Sequence, residues 1–173
     1  MCELAEHSTS TEATQVASVR LALCVEYAGE NYKGWQTQKF DNLPTVQENV
    51  ERALSKVANH PVSVICAGRT DTGVNGTYQI IRFDSPAKRS ERAWVLGTNT
   101  NLPQDISIQW AKQVDDSFHA RFSALSRRYR YIIYSNRVMP AVLAAPSVSC
   151  TSSATQGECC AGLPHTPAQP LLV

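Results

Sequence analysis

The densest concentration of residues able to do chemistry is the octet Ala67-Gly68-Arg69-Thr70-Asp71-Thr72-Gly73-Val74, which follows an apolar run directly and precedes Tyr78-Gln79-Ile80-Ile81-Arg82-Phe83. Polar groups in a loop at the end of a strand are a common position for a site. Gly68 and Gly73 let the backbone bend sharply on either side of Asp71. Arg69 and Thr70 supply nearby donors that favour an ionised carboxylate through charge and hydrogen bonding. An aspartate held in this way suits the role of nucleophile or base. The same spacing suits a plain turn that Arg69 and Asp71 merely organise, so the octet alone leaves both readings open.

A second concentration lies between Phe118 and Arg137, where Arg121, Arg127, Arg128, Arg130 and Arg137 occur with no acid among them and alternate with Tyr129, Tyr131 and Tyr134. Arginines for phosphates and tyrosine rings for bases are the composition of an RNA-contacting surface, and equally of a solvated strand face. The six cysteines include no C-x-x-C pair, which disfavours a zinc or redox site. Cys24 and Cys66 stand in apolar runs and read as small buried hydrophobes.

Regular elements must position these groups. Val19 to Tyr27 alternates, with Leu21, Leu23, Val25 and Tyr27 on one face and Arg20, Ala22, Cys24 and Glu26 on the other, which predicts a half-buried strand. Thr45-Val46-Gln47-Glu48 has the capping-box pattern, and Val46, Val50, Ala53, Leu54 and Val57 recur at helical spacing, which predicts a helix over 46–58. Val62–Ala67 reads as a buried strand and Tyr78–Phe83 as another, with a loop over 68–77 between them. Ser90 is placed as the N-cap of a short helix through Trp94 and Leu96, stopped by Gly97 and the Asn-rich stretch beyond it. Ile106–Val114 and Arg128–Tyr134 complete the strands. Helices mixed with adjacent strand pairs imply an α+β fold, with helices packed on one face of a largely antiparallel sheet.

The charge balance narrows the function class. Sixteen Lys+Arg against fifteen Asp+Glu leave a formal charge of +1, so the chain as a whole does not bind nucleic acid by charge alone and any basic site is local. No apolar run reaches the length of a membrane span and no secretory signal pattern opens the chain, so a soluble cytoplasmic protein is expected. Residues 1–18 are polar and aperiodic. From Ala141 to Val173 the chain carries one charged residue, Glu158, together with four prolines and three cysteines. Disorder is expected over 1–18 and 144–173, on either side of one domain over 19–143.

A-G-R-T-D-T-G-V with the Q-I-x-x-F that follows resembles the signature of the TruA family of tRNA pseudouridine synthases. Further segments are similar in family order: Tyr27-Ala28-Gly29, Tyr32, Gly34-Trp35-Gln36, Gln38, Thr45-Val46-Gln47, Asn101-Leu102-Pro103, Phe118 to Ala124 and Arg128-Tyr129-Arg130-Tyr131. The resemblance implies that Asp71 is the catalytic aspartate, attacking the ribose or the uracil ring so that the base detaches, rotates and rejoins through carbon. It implies Arg69 as the cationic partner in base flipping and Tyr129 as the ring that stacks on uracil and assists proton transfer. It implies no cofactor and no metal. Its substrate is tRNA at the anticodon arm, bound by a homodimer, with Lys33, Lys39 and the turn over 28–38 forming an RNA-reaching loop. Lys33, Arg121, Arg127, Arg128 and Arg130 are the expected RNA-binding residues.

Two departures stand against this pattern. Asn75 occupies the place where the family usually has His. The resemblance also ends soon after Leu143, so the family's second domain, the other wall of the cleft, is expected to be missing and the chain to be a truncated N-terminal half. A half cleft leaves a flipped base exposed and its catalytic groups poorly fixed. Three readings follow: a synthase domain, a fragment that binds RNA without turnover, and an unstable fragment with an uncovered sheet surface.

Overall fold

The computed structural model describes residues 18–37, 44–130, 132–135, 147–150 and 171–172. Lys39 and Arg137 lie outside them. The elements are β1 (Val19–Tyr27), a single 3-10 turn (Gly29–Asn31), α1 (Val46–Ala58), β2 (Ile65–Cys66), β3 (Asn75–Ser85), α2 (Glu91–Asn99), β4 (Ile106–Gln113), β5 (Tyr129–Arg130), β6 (Ile132–Ser135), β7 (Ser147–Cys150) and β8 (Leu171–Leu172). β1 is the centre of an antiparallel β4-β1-β3 arrangement. β2 also pairs antiparallel with β3, β8 lies parallel to the start of β3, and β5 pairs antiparallel with β8. β6 and β7 form a separate parallel pair. The architecture is the expected α+β, mostly antiparallel.

Helices cover one face. Leu21, Leu23 and Val25 of β1, Ile81 and Phe83 of β3 and Ile106, Ile108 and Ala111 of β4 form one core with Val46, Val50 and Leu54 of α1 and Trp94 of α2. Phe83 and Trp94 meet edge to face at 5.2 Å between ring centres. Thr45 caps α1, its hydroxyl accepting from the Glu48 N–H at 3.4 Å. Ser90 caps α2 through the Ala93 N–H at 3.2 Å. α1 has the bounds that periodicity predicts.

α2 does not stop at Gly97 but runs to Asn99. A Cβ on Gly97 would lie 3.1 Å from a Val57 methyl, so this glycine lets α2 lie close against α1 instead of ending it. Asn99 ties the helix end to β4, accepting from the Ile108 N–H at 2.7 Å and donating to the Ile108 carbonyl at 2.9 Å.

Two further strands differ from expectation for physical reasons. Only Ile65–Cys66 of the run over 62–67 joins the ladder, and Ile65 is exposed. Upstream, the Val62 N–H donates to the Ser55 hydroxyl and the Val64 N–H to the Glu51 carboxylate, each at 2.9 Å, so α1 takes the hydrogen bonds that a strand neighbour would have taken. β1 is buried on both faces, since Ala22 and Cys24 are covered as well. Their cross-strand neighbours Ile80, Trp110 and Lys112 close over them; the Trp110 ring packs against Tyr78 at 6.1 Å and lies under the Lys112 ammonium at 5.8 Å. Burial pushes the Cys24 thiol up to about 12, the behaviour of an unreactive hydrophobe. Of the strand expected over Arg128–Tyr134, the described residues place 129–130 in β5 and 132–134 in β6, with residue 131 outside them.

At one end of the sheet Arg20 and Asp84 pair across β1 and β3, Nε to Oδ1 at 2.7 Å and Nη2 to Oδ2 at 3.1 Å. The bidentate hydrogen bond holds the Asp84 carboxyl below its ordinary value. Stability from this pair is present above the unfolded carboxylate value of about 3.9 and is lost as pH falls through the lower folded value. Asp84→Asn is expected to flatten the drop in urea midpoint between about pH 5 and pH 3; an unchanged acid limb would show that the pair contributes nothing to folding. In the core, Ile81→Ala is expected to cost about 2–5 kcal/mol in denaturant unfolding.

Candidate active-site loop and basic cavity

The octet is fixed by a neighbouring loop in a close backbone interlock. Residues 29–35, between β1 and α1, lie against residues 70–75. The Trp35 N–H donates to the Thr70 carbonyl at 3.0 Å, the Gly73 N–H to the Tyr32 carbonyl at 3.2 Å, and the Gly29 N–H to the Asn75 side-chain carbonyl at 2.6 Å. Contact this close excludes side chains. A Cβ on Gly34 would lie 2.3 Å from the Thr70 carbonyl oxygen and one on Gly29 would lie 2.0 Å from the Val74 oxygen; Gly34 also has φ +81°. Asn75, where the resemblance leads one to expect His, therefore acts as a clasp between the loops.

Within the octet, Asp71 to Val74 is a turn closed by the Val74 N–H on the Asp71 carbonyl at 3.3 Å. Gly73 has φ +78° at the third position, the feature of a type II turn that demands glycine. Thr70 points inward. Its hydroxyl meets the Tyr27 hydroxyl at 2.8 Å, and the Tyr27 ring packs on Gly76, where a Cβ would lie 2.5 Å from it. Burial pushes the Tyr27 phenol up to about 12, so it remains a neutral hydrogen-bonding partner at physiological pH. On the other side, buried Gln79 donates its amide to the Gly68 carbonyl. With Thr70 turned in, Arg69 and Asp71 are left exposed on either side.

Beside the loop lies a cavity of about 490 Å³ whose walls include Trp35, Gln47, Cys66, Arg69, Arg121, Arg127 and Tyr129. Three arginines and two aromatic side chains thus line one space. Tyr129 is half exposed, at 51%, leaving much of its ring open. The Arg121 guanidinium lies 6.0 Å from the centre of the Phe122 ring. Burial holds the Cys66 thiol above its ordinary value, the nearby arginines opposing that shift.

The predicted site residues are thus only partly brought together. Arg69, Arg121, Arg127 and Tyr129 share the cavity, whereas Asp71, Lys33, Arg128 and Arg130 are outside its lining. Among the described residues Arg69 and Asp71 do not form the ion pair that their spacing suggests. Both are exposed on either side of the buried Thr70, and Arg69 lines the cavity whereas Asp71 does not. Arg127 spends donors internally, Nε and Nη2 both reaching the Ala67 carbonyl oxygen, at 3.1 and 2.7 Å. Gln79 and Tyr27 escaped the sequence argument. The signal for Gln79 was its parity, a polar residue in phase with Ile81 and Phe83 on the core face. Such a residue is retained in a core when something buried needs a donor.

Two substitutions test the interlock. Gly34→Ala is expected to destabilise the chain by more than about 2 kcal/mol, since the left-handed backbone and the 2.3 Å approach oppose any Cβ. Tyr27→Phe leaves the Thr70 hydroxyl buried and unpaired, for about 1–3 kcal/mol, and should speed amide exchange over 68–74 before the core opens. Wild-type exchange in that loop would remove the hydroxyl pair from its support.

Comparison with known proteins gives the interlocked loops a context. The sequence pattern of the family described as tRNA pseudouridine synthase matches residues 23–123, more than half of the chain. The chain is 58% identical over 125 residues to tRNA pseudouridine synthase A of Aeromonas hydrophila, covering 72% of this chain and 46% of that protein. It is 53% identical over 132 residues to the enzyme of the same name from Haemophilus influenzae, covering 76% and 48%, and 57% identical over 125 residues to that of Colwellia psychrerythraea, covering 72% and 48%. The chain spans about half the length of the curated relatives it matches. Both interlocking loops and the wall of the cavity from Trp35 to Arg121 fall inside the matched span, Tyr129 just beyond it, and by that match the chain belongs to the tRNA pseudouridine synthase family.

Proposed function

We propose that the chain is the part of a tRNA pseudouridine synthase that carries the catalytic aspartate, with Asp71 as nucleophile, Arg69 as the cation that fills the place of the flipped base, and Tyr129 as the stacking ring. The observation that carries this reading is the interlock, which presents Asp71 and Arg69 at fixed exposed positions beside a cavity lined by arginines and an open tyrosine ring. Uridine and pseudouridine are isomers. The carboxylate adds to the ribose or to the uracil ring, the bond between ribose carbon and base nitrogen breaks, and the base rotates. A bond from the ribose carbon to C5 then forms, the bond to the carboxylate breaks so that the aspartate is regenerated, C5 loses its proton and the ring nitrogen gains one. No electrons enter or leave, so the chemistry calls for no redox partner.

A flipped uridine costs unstacking energy, and a cation with an aromatic surface offsets that cost. Lys33, Arg121, Arg128 and Arg130 are proposed as phosphate contacts along the approach to the cavity. The anticodon arm as target, a homodimeric assembly and a cytoplasmic location complete the proposal, each following from the family resemblance. The reading to set against it is a protein that binds tRNA without turnover, favoured by the place of Asp71 outside the cavity lining.

Pseudouridine formation on an unmodified tRNA transcript, at high enzyme concentration, decides between them. Asp71→Asn is expected to lower product formation by on the order of 10⁴-fold or more and to leave tRNA affinity unchanged or slightly higher, because a carboxylate facing RNA is removed. Salt-sensitive binding with no product from the parent chain would establish binding without turnover instead.

A further inference from the structure

Among the basic residues of the 118–130 segment, Arg127 is built into the protein in a way that the others are not. Its Nε and Nη2 both donate to the Ala67 carbonyl oxygen, and Nη2 also reaches the Arg121 carbonyl oxygen at 3.2 Å. Among the described residues, the guanidinium groups of Arg121, Arg128 and Arg130 make no hydrogen bond. Two N–H groups of one rigid fork on a single carbonyl define a direction as well as a distance, which a flexible ammonium does not. Gly68 accommodates the fork: a Cβ there would lie 3.2 Å from Arg127 Nε and 3.3 Å from Cδ.

What the fork joins gives it meaning. Ala67 and Gly68 lead directly into Arg69 and Asp71, and their two carbonyls are held by side chains from elsewhere, Arg127 on the first and Gln79 on the second. Arg127 stands two residues before Tyr129, at the end of a stretch over 118–128 that has neither helix nor strand. One side chain therefore ties the loop bearing Arg69 and Asp71 to the strand bearing Tyr129 and to the segment bearing Arg121.

We infer that Arg127 is a positioning residue of the uridine site, setting the distance between the aspartate loop and the Tyr129 strand, and is not a phosphate contact. This rests on the function proposed above. A positioning error of about 1 Å costs a reaction of this kind roughly 10²-fold in rate without needing to weaken substrate binding. A phosphate contact has the opposite signature, weaker binding and a shallower salt dependence.

The test compares Arg127→Ala, Arg127→Lys, Gly68→Ala and Arg128→Ala in the full chain. Nuclear magnetic resonance follows the amides of residues 68–74, the Tyr129 ring and the Arg127 Nε–H; tRNA affinity is measured across a salt series; and single-turnover pseudouridine formation is measured over a range of RNA concentration. Arg127→Ala and Arg127→Lys should both shift the loop and Tyr129 signals while those of Leu23 and Ile81 stay in place. Their salt slopes should be unchanged and the turnover rate should fall about 10- to 100-fold with little change in half-saturation. Gly68→Ala should reproduce the loop and Tyr129 shifts without touching a charge. Arg128→Ala should do the reverse, lowering the salt slope by about 0.7 to 0.9 with an undisturbed loop. The inference is overturned if Arg127→Lys keeps wild-type loop and Tyr129 signals, or if Arg127→Ala lowers the salt slope as Arg128→Ala does. A parent chain that makes no pseudouridine overturns the proposed activity, while the resonance and salt arms still decide whether Arg127 couples the two elements or contacts phosphate.

Discussion

Backbone laid directly against backbone is the constraint on which the rest depends. Residues 29–35 and 70–75 approach so closely that Gly29 and Gly34 have no room for a Cβ, and the hydrogen bonds that join the loops run between main-chain groups or to a short Asn side chain. Once that contact is made, the direction of every side chain in the octet follows. Thr70 turns toward Tyr27, Gly73 completes the turn, and Arg69 and Asp71 are turned outward. The nucleophilic role proposed for Asp71 calls for such rigidity, because a mobile loop spends binding free energy on its own ordering.

The sheet supplies the foundation for the interlock. β1 is buried on both faces and leads into the first loop through Tyr27, while β3 begins at Asn75, immediately after the octet. The register that pairs Tyr27 with Gly76 brings both loops to the same end of the sheet. Burial that stabilises the domain therefore also places the site, and Tyr27, buried and bonded to Thr70, belongs equally to the core and to the loop. On the far side the cavity is bounded by a segment without regular structure, anchored by side chains. Arg20 reaches the carbonyls of Asp116 and Phe118, and Arg127 reaches that of Ala67. Basic residues in this region thus serve two ends, fastening the segment and presenting positive charge to the cavity.

Much of this was legible in the order of residues. The alternation of β1, the periodicity and cap of α1 and the glycines around Asp71 each reflect a local rule, and local rules act whatever the rest of the chain does. The octet announced a polar turn after a strand, and the company of Tyr27-Ala28-Gly29, Gly34-Trp35 and Arg128-Tyr129 identified the family. Less could be seen where a local rule met a distant partner. Gly97 looked like a helix stop and is a close approach to Val57, and Val62 to Val64 looked like ladder strand but gives its hydrogen bonds to Ser55 and Glu51.

By itself the sequence determined the α+β class, the elements with strong period, the family and the identity of the exposed aspartate loop, because each rests on residues near one another in the chain. Only the tertiary structure decided that Arg69 faces the cavity while Asp71 does not line it, that Tyr27 and Gln79 hold the loop, and that Arg127 turns back to Ala67 instead of outward. These outcomes depend on which donor meets which carbonyl after residues roughly 10 to 60 positions apart have been packed together, and no spacing along a chain encodes a meeting that the fold itself creates.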